Sequence, residues 1–168
     1  MFRLSVLRGK RMIDFVISEI GIGSIEDAVK THDLCLRRVG AILNVADEIN
    51  PALTNPCELT FAKFGLIEKG NASNQGDLLT AALILGRLVR THRKVLVHCY
   101  AGKSRSPLVV AIYLAASEGI SVEQALEKVA LIRKETDPSQ PLLSYALKVK
   151  NHRLWQGVME SIRGFDHE

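Results

Sequence analysis

The feature that most constrains this chain is a pair of apolar segments joined by a short polar loop. Lys94–His98 is typical of a buried strand, and Ser106–Ser117 is an uncharged, almost wholly apolar stretch of helical length. A helix that is apolar nearly all round has to be covered by other elements. Residues 99–105 connect the two segments directly. The sequence therefore predicts a strand–loop–helix unit at the centre of a layered structure.

The remaining elements alternate between strand and helix. Further strands are predicted at Met12–Ile17, Ala41–Ala46 and Leu59–Ile67. Further helices are predicted over 25–38, 78–91, 122–132 and 140–163, the last with Leu143, Leu147, Leu154, Val158 and Ile162 on one face. Strands that alternate with helices indicate an α/β fold with a mostly parallel central sheet flanked by helices.

Turn and cap signals set the predicted boundaries. Residues 21–24 (GIGS) form a glycine-rich turn, after which Ser24 and Asp27 have the spacing of an N-cap and an acidic first turn. Residues 70–76 (GNASNQG) form a loop, and Asp77 caps the helix that follows. Ser121 and Gln124 form a capping box at the start of the helix over 122–132.

Composition excludes several classes of protein. The 168 residues carry a formal charge of +4, with 24% charged and 47% hydrophobic residues, which is ordinary globular usage. The basic residues form no run typical of nucleic-acid binding. The longest uncharged stretch, Ser106–Ser117, is shorter than the roughly 20 residues of a membrane-spanning helix. We therefore expect no membrane or nucleic-acid partner.

The cysteines predict a reducing compartment. An odd set of three is too small for a disulfide scaffold, which favours the cytoplasm. Packing is the expected role of Cys35 and Cys57, and a disulfide between Cys57 and Cys99 is an alternative that would shield Cys99 from oxidation.

The loop between the strand and the apolar helix carries the chemistry. In residues 98–106 (HCYAGKSRS), a tight turn into a helix N-terminus lets successive backbone N–H groups converge on an anion. Gly102 permits a turn that a side chain would obstruct, and Arg105 can grip two oxygens of a tetrahedral dianion. The same positive potential favours the thiolate of Cys99, which is the nucleophilic form. The segment predicts phosphoryl transfer to a cysteine.

The motif His-Cys-x-x-Gly-x-x-Arg-Ser resembles the active-site motif of the cysteine-dependent protein tyrosine phosphatases. The short chain is similar to their small dual-specificity branch, including its atypical bacterial and archaeal members, and matching segments at 20–24, 41–45, 95–98 and 122–133 occur in the same order. The resemblance covers most of residues 12–150. It implies a single phosphatase domain over 1–168, with 1–11 as an N-terminal extension and 151–168 as the end of the last helix and a tail.

The resemblance also implies roles for individual residues. Cys99 is the nucleophile, Ser106 assists its departure from the intermediate, and His98 supports the loop. Residues 138–140 (PSQ) match the family's segment past the last active-site helix, and Arg133 matches an arginine that buttresses that segment. The phosphate is held by Tyr100, Ala101, Gly102, Lys103, Ser104 and Arg105.

The general acid is less clearly marked. The family usually has an aspartate some thirty residues before the cysteine, and here Glu68 stands thirty-one residues before Cys99. A glutamate can protonate a leaving group, but its longer side chain needs a different reach. Asp77 is the alternative acid, although its spacing also fits an N-cap. The loop residues Asp47 and Glu48 follow a strand and can approach the same pocket, with Asp47 ranked after Asp77.

The predicted reaction is hydrolysis of phosphotyrosine in a protein or peptide through a phosphocysteine intermediate. Whether the enzyme acts on phosphotyrosine alone or also on phosphoserine and phosphothreonine stays open, because pocket depth decides it. No metal or cofactor is expected, because the five histidines show no ligand spacing with the cysteines. A nucleotide-binding P-loop is excluded because Val97 stands where that motif needs glycine. Two alternatives stay open: a phosphate-binding module without turnover, and the same chemistry on an RNA 5′-phosphate or a phosphoinositide. For the latter, a basic face is available at Lys148, Lys150, His152 and Arg153.

Overall fold

The computed structural model describes residues 13–69 and 74–164, and its strands form a five-stranded sheet. The strands are β1 (Asp14–Ile17), β2 (Ile20–Gly23), β3 (Ala41–Ala46), β4 (Thr60–Leu66) and β5 (Val95–His98), in the order β1-β2-β5-β3-β4. Only the β1–β2 pair is antiparallel among the pairings described. The prediction of a mostly parallel central sheet is confirmed.

Seven α-helices lie within the described residues. They are α1 (Ile25–Ala28), α2 (Thr31–Leu36), α3 (Asn74–Thr91), α4 (Arg105–Glu118), α5 (Val122–Ile132), α6 (Gln140–Ala146) and α7 (Trp155–Arg163), with a 3₁₀ turn at Val149–Asn151 between α6 and α7. The predicted capping box of Ser121 and Gln124 forms, and the predicted N-cap Ser24 forms a capping box with Asp27. None of the described helices has the length and apolar character needed to cross a bilayer.

Strand β5 lies at the centre of the sheet and is buried on both faces. Val95 and Val97 belong to the larger apolar cluster, which also contains buried residues of α3, α4, α5, α6 and α7. Leu96 points to the opposite face, into a smaller cluster with Ala28 and Leu34. Covering the sheet on both faces explains why β5 is apolar without alternation. Helix α4 is apolar nearly all round because the sheet covers one side and α3, α5 and α7 cover the others. It also fixes the carboxyl end of β5, where Cys99 follows.

The predicted turn at residues 21–24 is wrong, because residues 20–23 form strand β2. Ile20 and Ile22 are fully buried, and β2 pairs in parallel with β5. Gly21 is required by a neighbour, since an added Cβ would lie 2.7 Å from Ile13 Cγ2. Glycine residues favour a turn when only the local sequence is considered. Here they allow neighbouring side chains to pack closely against the strand, and the sequence pattern does not show those neighbours.

Two long predicted helices are each broken. The segment 25–38 divides into α1 and α2, and 140–163 divides into α6, the 3₁₀ turn and α7. On a continuous helix Ala28 and Leu34 would lie about 120° apart, and the break lets both enter the smaller cluster. The later break has the same effect for Val149 and Val158 in the larger cluster, while the predicted core residues Leu147 and Leu154 are exposed.

The start of α3 also differs from the prediction. The helix begins at Asn74, so residues 74–76 of the predicted loop are helical and residues 70–73 lie outside the described part of the chain. Asp77 consequently lies in the first turn of α3 instead of at the N-cap. An acidic side chain is favourable at either place, because both lie at the positive end of the helix dipole.

Cys35 and Cys57 form a disulfide, so the prediction that both serve only in packing is wrong. Their Cα atoms lie 6.0 Å apart, and the bond ties α2 to the segment before β4. Cys99 is the free cysteine, which excludes the alternative Cys57–Cys99 pairing in this structure. The sequence contained no local signal for the pairing, since 22 residues separate the two cysteines. The cytoplasmic location stays a prediction, and a Cys35–Cys57 bond is of the kind found in oxidising compartments.

Candidate active site

The candidate active site lies at the carboxyl ends of the parallel strands. Cys99 follows β5, while Glu48 follows the neighbouring strand β3 and Glu68 follows β4. Parallel strands end at the same edge of a sheet, so these three segments meet there. The segments after β4 and β5 line an open pocket of about 230 Å³, and Glu48 contacts one of its lining residues, Arg105. Its lining consists of Glu68, Cys99, Tyr100, Ala101, Lys103, Ser104 and Arg105.

The loop from Cys99 to Ser104 is held in shape by Gly102 and Arg133. Gly102 has a φ of +68°, and an added Cβ would lie 2.5 Å from the carbonyl oxygen of Gly23. Arg133 Nε donates to the Gly102 carbonyl at 2.9 Å and Nη2 donates to the Ala101 carbonyl at 3.4 Å. Arg133 Nη1 pairs with Asp14 at 3.1 Å. The structural role of Arg133 is thus on the Cys99 loop, where the resemblance placed it at residues 138–140, and Asp14 is a partner that sequence reasoning missed.

Backbone N–H groups are left open around the pocket. Among the described residues, no backbone carbonyl accepts a hydrogen bond from the N–H groups of residues 100–105. Ser104 occupies the N-cap of α4 without capping it, because its hydroxyl donates to a Glu68 carboxylate oxygen. The first turn of a helix carries N–H groups without intrahelical partners. The loop and helix start therefore offer donors and a favourable dipole to an anion.

Cys99 lies at the floor of this arrangement. Its side chain is 2% exposed, and Sγ lies 3.3 Å from Ser106 Oγ. A hydroxyl at that distance can donate to a thiolate sulfur, both before attack and when sulfur leaves a phosphorylated intermediate. The predicted proximity of Ser106 and Cys99 is thus present.

His98 supports the loop through its backbone contact. Its Nδ1 lies 3.1 Å from the Cys99 carbonyl, to which it donates, and the ring is fully buried. Burial lowers the pKa of His98 below its ordinary 6.5, despite the opposing influence of the Cys99 carbonyl and of Asp27. The imidazole is therefore neutral at neutral pH and acts here as a positioning group.

The neutral state of His98 predicts a pH-dependent stability. Below pH 6.5 the unfolded chain binds a proton at this histidine that the folded chain does not bind. The free energy of unfolding should then fall, by up to about 1.4 kcal/mol per pH unit, until the lowered folded pKa is reached. Urea unfolding of wild type and His98→Gln between pH 7 and pH 5 tests this. The wild type should lose more stability than the variant over that interval, and parallel losses would contradict the assignment.

Arg105 is the charged centre of the site and is held by two carboxylates. Its Nη1 and Nη2 donate to the two Glu48 oxygens at 2.6 and 2.7 Å, and Nη1 also donates to the Leu66 carbonyl at 3.1 Å. Its Nε lies 2.8 Å from Glu68 Oε2. Burial alone would lower the pKa of Arg105, but the hydrogen bonds to Glu48 and the charges of Cys99, Glu48 and Glu68 together outweigh it and raise the pKa. The Arg105 hydrogen bonds in turn hold the pKa of Glu48 below its ordinary value.

Glu48 orients Arg105. The sequence indicated only that Glu48 can approach the pocket and gave no contact for it. Its two-point contact fixes the plane of the guanidinium, which matters because a planar fork binds phosphate oxygens only in a defined orientation. The adjacency of β3 and β5 in a parallel sheet was the available signal, since it brings the loop after β3 beside the loop after β5.

Glu68 lines the pocket, whereas the other candidates for the general acid, Asp77 and Asp47, do not. Its carboxylate accepts from Ser104 Oγ and contacts Arg105 Nε, and its carbonyl accepts from Ser139 Oγ at 3.0 Å. The Ser139 N–H donates to Ser104 Oγ at 3.0 Å, which connects the acid-bearing segment with the Cys99 loop. Asp77 and Asp47 are not among the residues that line the pocket. Asp47 packs against Gly65, at the end of β4.

The basic residues on the carboxyl-terminal segment are partly occupied with structural contacts. Lys150 Nζ donates to the Ile120 carbonyl at 2.9 Å and lies 5.4 Å from the centre of the Trp155 ring. Within the described ranges, no group of three or more His, Cys, Asp and Glu side chains has the geometry of a metal site.

A thiol below an arginine, within a loop of open N–H groups between a central strand and a buried helix, defines the class of cysteine-dependent phosphatases. Residues 23–151 match the family model described as the catalytic domain of dual specificity phosphatases. The chain therefore belongs to the dual specificity phosphatase family, as the sequence motif predicted.

Similar proteins agree with this membership. Dual specificity protein phosphatase 1 of Arabidopsis thaliana is 29% identical over 118 residues, which is 70% of this chain and 59% of the plant protein, so the chain spans less than two thirds of that relative. The crystal structure of human DUSP28 covers 83% of this chain and 93% of its own, with a TM-score of 0.73 and 22% identity. The structure of DUSP15 covers 89% and 94%, with a TM-score of 0.76 and 17% identity. At these identities the two structures establish the shared fold.

Proposed function

We propose that this protein hydrolyses phosphotyrosine, together with phosphoserine and phosphothreonine, in protein substrates through a phosphocysteine intermediate. The observation that carries the proposal is the placement of Cys99 Sγ at the floor of the pocket, 3.3 Å from Ser106 Oγ, below Arg105 and beside open backbone N–H groups. Membership of the dual specificity phosphatase family supports the same substrate class.

Substrate binding follows from the contacts of Arg105. Glu48 holds the terminal nitrogens, whereas the Nε–H makes no hydrogen bond, although Nε lies 2.8 Å from Glu68 Oε2. A phosphoryl dianion at the mouth of the pocket competes with Glu68 for Nε and for the remaining N–H of Nη2. Glu48 keeps the fork oriented during this exchange. The dianion displaces the Glu68 carboxylate from the arginine. The carboxylate takes up a proton from solvent and lies beside the leaving oxygen.

The reaction then proceeds in two steps, which are the formation and the hydrolysis of the phosphocysteine intermediate. Cys99 Sγ donates an electron pair to phosphorus, the bond from phosphorus to the leaving oxygen breaks, and protonated Glu68 gives that oxygen its proton. In the second step, Glu68 takes a proton from water as the water oxygen attacks phosphorus. The sulfur–phosphorus bond breaks, its electron pair returns to sulfur, and Ser106 Oγ donates to the resulting thiolate. The N–H groups and Arg105 stabilise the equatorial oxygens throughout.

The test is turnover of 4-nitrophenyl phosphate and of a phosphotyrosine peptide with EDTA present. Turnover that EDTA leaves unchanged and orthovanadate inhibits is expected, and acid quenching should trap phosphate on Cys99, more of it in Ser106→Ala. Turnover that requires added metal would overturn the mechanism. Tight phosphopeptide binding with no turnover of either substrate would instead indicate a binding module.

The assignment of the acid gives a separate prediction. Glu68→Gln should lower kcat for phenyl phosphate about 10²-fold and for 4-nitrophenyl phosphate only severalfold, because the better leaving group needs little protonation. The readout is the dependence of kcat on leaving-group pKa, which becomes steeper when the acid is lost. Asp77→Asn is the matched variant and should keep the wild-type dependence. The reverse pattern would assign the acid to Asp77.

A further inference from the structure

A separate pocket, here called the His98 pocket, lies on the face of the sheet that packs against the smaller apolar cluster. It is open, with a volume of about 200 Å³. Its lining consists of Ile42, Asn44, Asn50, Pro51, Leu53, Phe61, Ala62, Lys63 and His98, none of which lines the phosphate pocket. The volume is below the usual range for ligand sites, which suits a molecule of one or two rings.

The floor of the His98 pocket is set by the register of three neighbouring strands. Asn44 of β3 lies between His98 of β5 and Lys63 of β4. Side chains two positions apart on a strand share a face, so Ile42 lies on the same face as Asn44. Ile42 belongs to the smaller apolar cluster, which identifies that face. The roof is the segment 50–53, which follows β3 and lines the pocket from the other side.

The polar side chains of the floor are paired within the protein, with one exception. Asn44 Nδ2 donates to the Ile49 carbonyl at 2.7 Å, and Asn44 Oδ1 accepts from the Ala46 N–H at 2.9 Å. Lys63 Nζ donates to two backbone carbonyls and one amide oxygen of the loop after β3. The ring of His98 is fully buried, and its Nε2 makes no hydrogen bond with any of the described residues. His98 Nε2 is therefore the polar group of the floor that remains open to a ligand.

The tautomer of His98 determines what Nε2 can bind. Nδ1 carries the ring proton, because it donates to the Cys99 carbonyl at 3.1 Å. In a neutral imidazole the other nitrogen is an acceptor, so Nε2 needs a donor. Nε2 also lies at the end of the ring farthest from the backbone, and a buried acceptor without a donor costs free energy. A ligand that fits this pocket therefore combines an apolar body with one N–H or O–H group.

The roof can move to admit such a ligand. Within the described ranges, no backbone group of residues 50–53 forms a hydrogen bond with another backbone group, so a small shift of this segment breaks none. Leu53 is half-buried against the smaller apolar cluster, and the Phe61 ring is 44% exposed. These two side chains lie on opposite sides of the pocket, one in the roof and one in the floor. They can cover both faces of a flat ring.

We infer that the His98 pocket binds a small aromatic molecule whose single N–H or O–H group donates a hydrogen bond to His98 Nε2. The ring of the ligand packs between Leu53 and Phe61. The inference goes beyond the proposed hydrolysis and depends on no step of it. The site is nevertheless next to the nucleophile in the chain, because His98 directly precedes Cys99 and holds its carbonyl.

The test compares indole with benzofuran, which has a ring system of the same size and no N–H donor. Calorimetric titration of the wild type with indole should give a dissociation constant of about 10⁻⁴–10⁻³ M, as expected for a ligand this small. Benzofuran should bind about 5- to 10-fold more weakly, because it leaves Nε2 without a donor. In protein labelled with ¹⁵N-histidine, indole should shift the Nε2 resonance of His98 in the direction of an accepted hydrogen bond.

Variants locate the binding. Leu53→Trp should fill the pocket and abolish indole binding, while turnover of 4-nitrophenyl phosphate stays unchanged. Leu36→Trp is the matched control, because it makes the same change at a leucine that is 72% exposed and does not line the pocket, and it should keep indole binding. Phe61→Ala removes a partly exposed ring and serves as a second variant where Leu53→Trp does not fold. It should weaken the binding of both ligands severalfold.

Several results would overturn the inference. Equal affinities for indole and benzofuran would show that no ligand donor pairs with Nε2, and a lack of indole binding up to its solubility limit would remove the site. Indole binding that persists unchanged in the folded pocket variants, or that orthovanadate abolishes by competition, would place the ligand elsewhere. Failure of the proposed function is a separate result: a protein that hydrolyses no phosphate ester loses that function, and the indole and benzofuran affinities still decide the His98 pocket.

Discussion

Cys99→Ser should lower kcat for a phosphotyrosine peptide by at least about 10⁴-fold, because a serine hydroxyl at neutral pH lacks the ionised sulfur that attacks phosphorus. The fold should persist, because a serine side chain is only slightly smaller than a cysteine side chain. The Ser106 hydroxyl can still form a hydrogen bond with the new hydroxyl at position 99. The substitution also leaves the backbone N–H groups of residues 100–105 and the Arg105 side chain unchanged. We therefore expect the peptide dissociation constant to stay within roughly tenfold of the wild-type value while turnover is lost.

The measurement is single-turnover hydrolysis with EDTA present, together with peptide binding by calorimetry. Cys35→Ser/Cys57→Ser is the matched control, because its cysteines join α2 to the segment before β4 and do not line the phosphate pocket. At a temperature where circular dichroism shows it folded, this double variant should retain turnover. A Cys99→Ser enzyme with more than about 1% of wild-type kcat would contradict the assignment of the nucleophile.

Arg105→Lys should lower kcat/KM by about 10³-fold. Lysine keeps a positive charge but presents a single ammonium, so it cannot hold both Glu48 oxygens and present a planar fork to phosphate at once. Two carboxylates, Glu48 and Glu68, then lie beside the pocket with a weaker counter-charge and repel the dianionic substrate. The loss should therefore fall on KM and on orthovanadate affinity as well as on kcat.

The appropriate comparison is Arg153→Lys, which makes the same change at an exposed position and should leave both constants unchanged. Steady-state kinetics with 4-nitrophenyl phosphate and vanadate inhibition provide the readout. An Arg105→Lys enzyme within tenfold of wild type would show that charge alone suffices and that the two-point grip of Glu48 has no catalytic consequence.

The elements with a strong local signal were predictable. Strand β3 coincides with the predicted Ala41–Ala46, and the Ser121–Gln124 capping box starts α5 as expected. The loop motif located Cys99, Arg105 and Ser106 because those residues are neighbours in the chain and their grouping needs no tertiary contact. The prediction for Glu68 depended on a family spacing, and its contact with Arg105 Nε agrees with that placement.

Secondary structure predicted from local sequence pattern was wrong where tertiary packing favoured a different conformation. The glycine-rich segment 20–23 forms a strand because it pairs with β5 and leaves room for Ile13. The helices predicted over 25–38 and 140–163 are broken because unbroken ones would turn part of their apolar residues away from the core.

The sequence by itself determined the α/β class, the central strand–loop–helix unit and the grouping of Cys99, Arg105 and Ser106, because each depends on adjacent positions or on a regular period. Only the tertiary structure decided that Glu48 orients Arg105, that Asp14 and Arg133 buttress the loop, that Cys35 joins Cys57, and that a pocket lies over His98. These contacts join segments distant in the chain. The contact of Glu48 with Arg105 exists because the parallel strands β3 and β5 end at the same edge of the sheet.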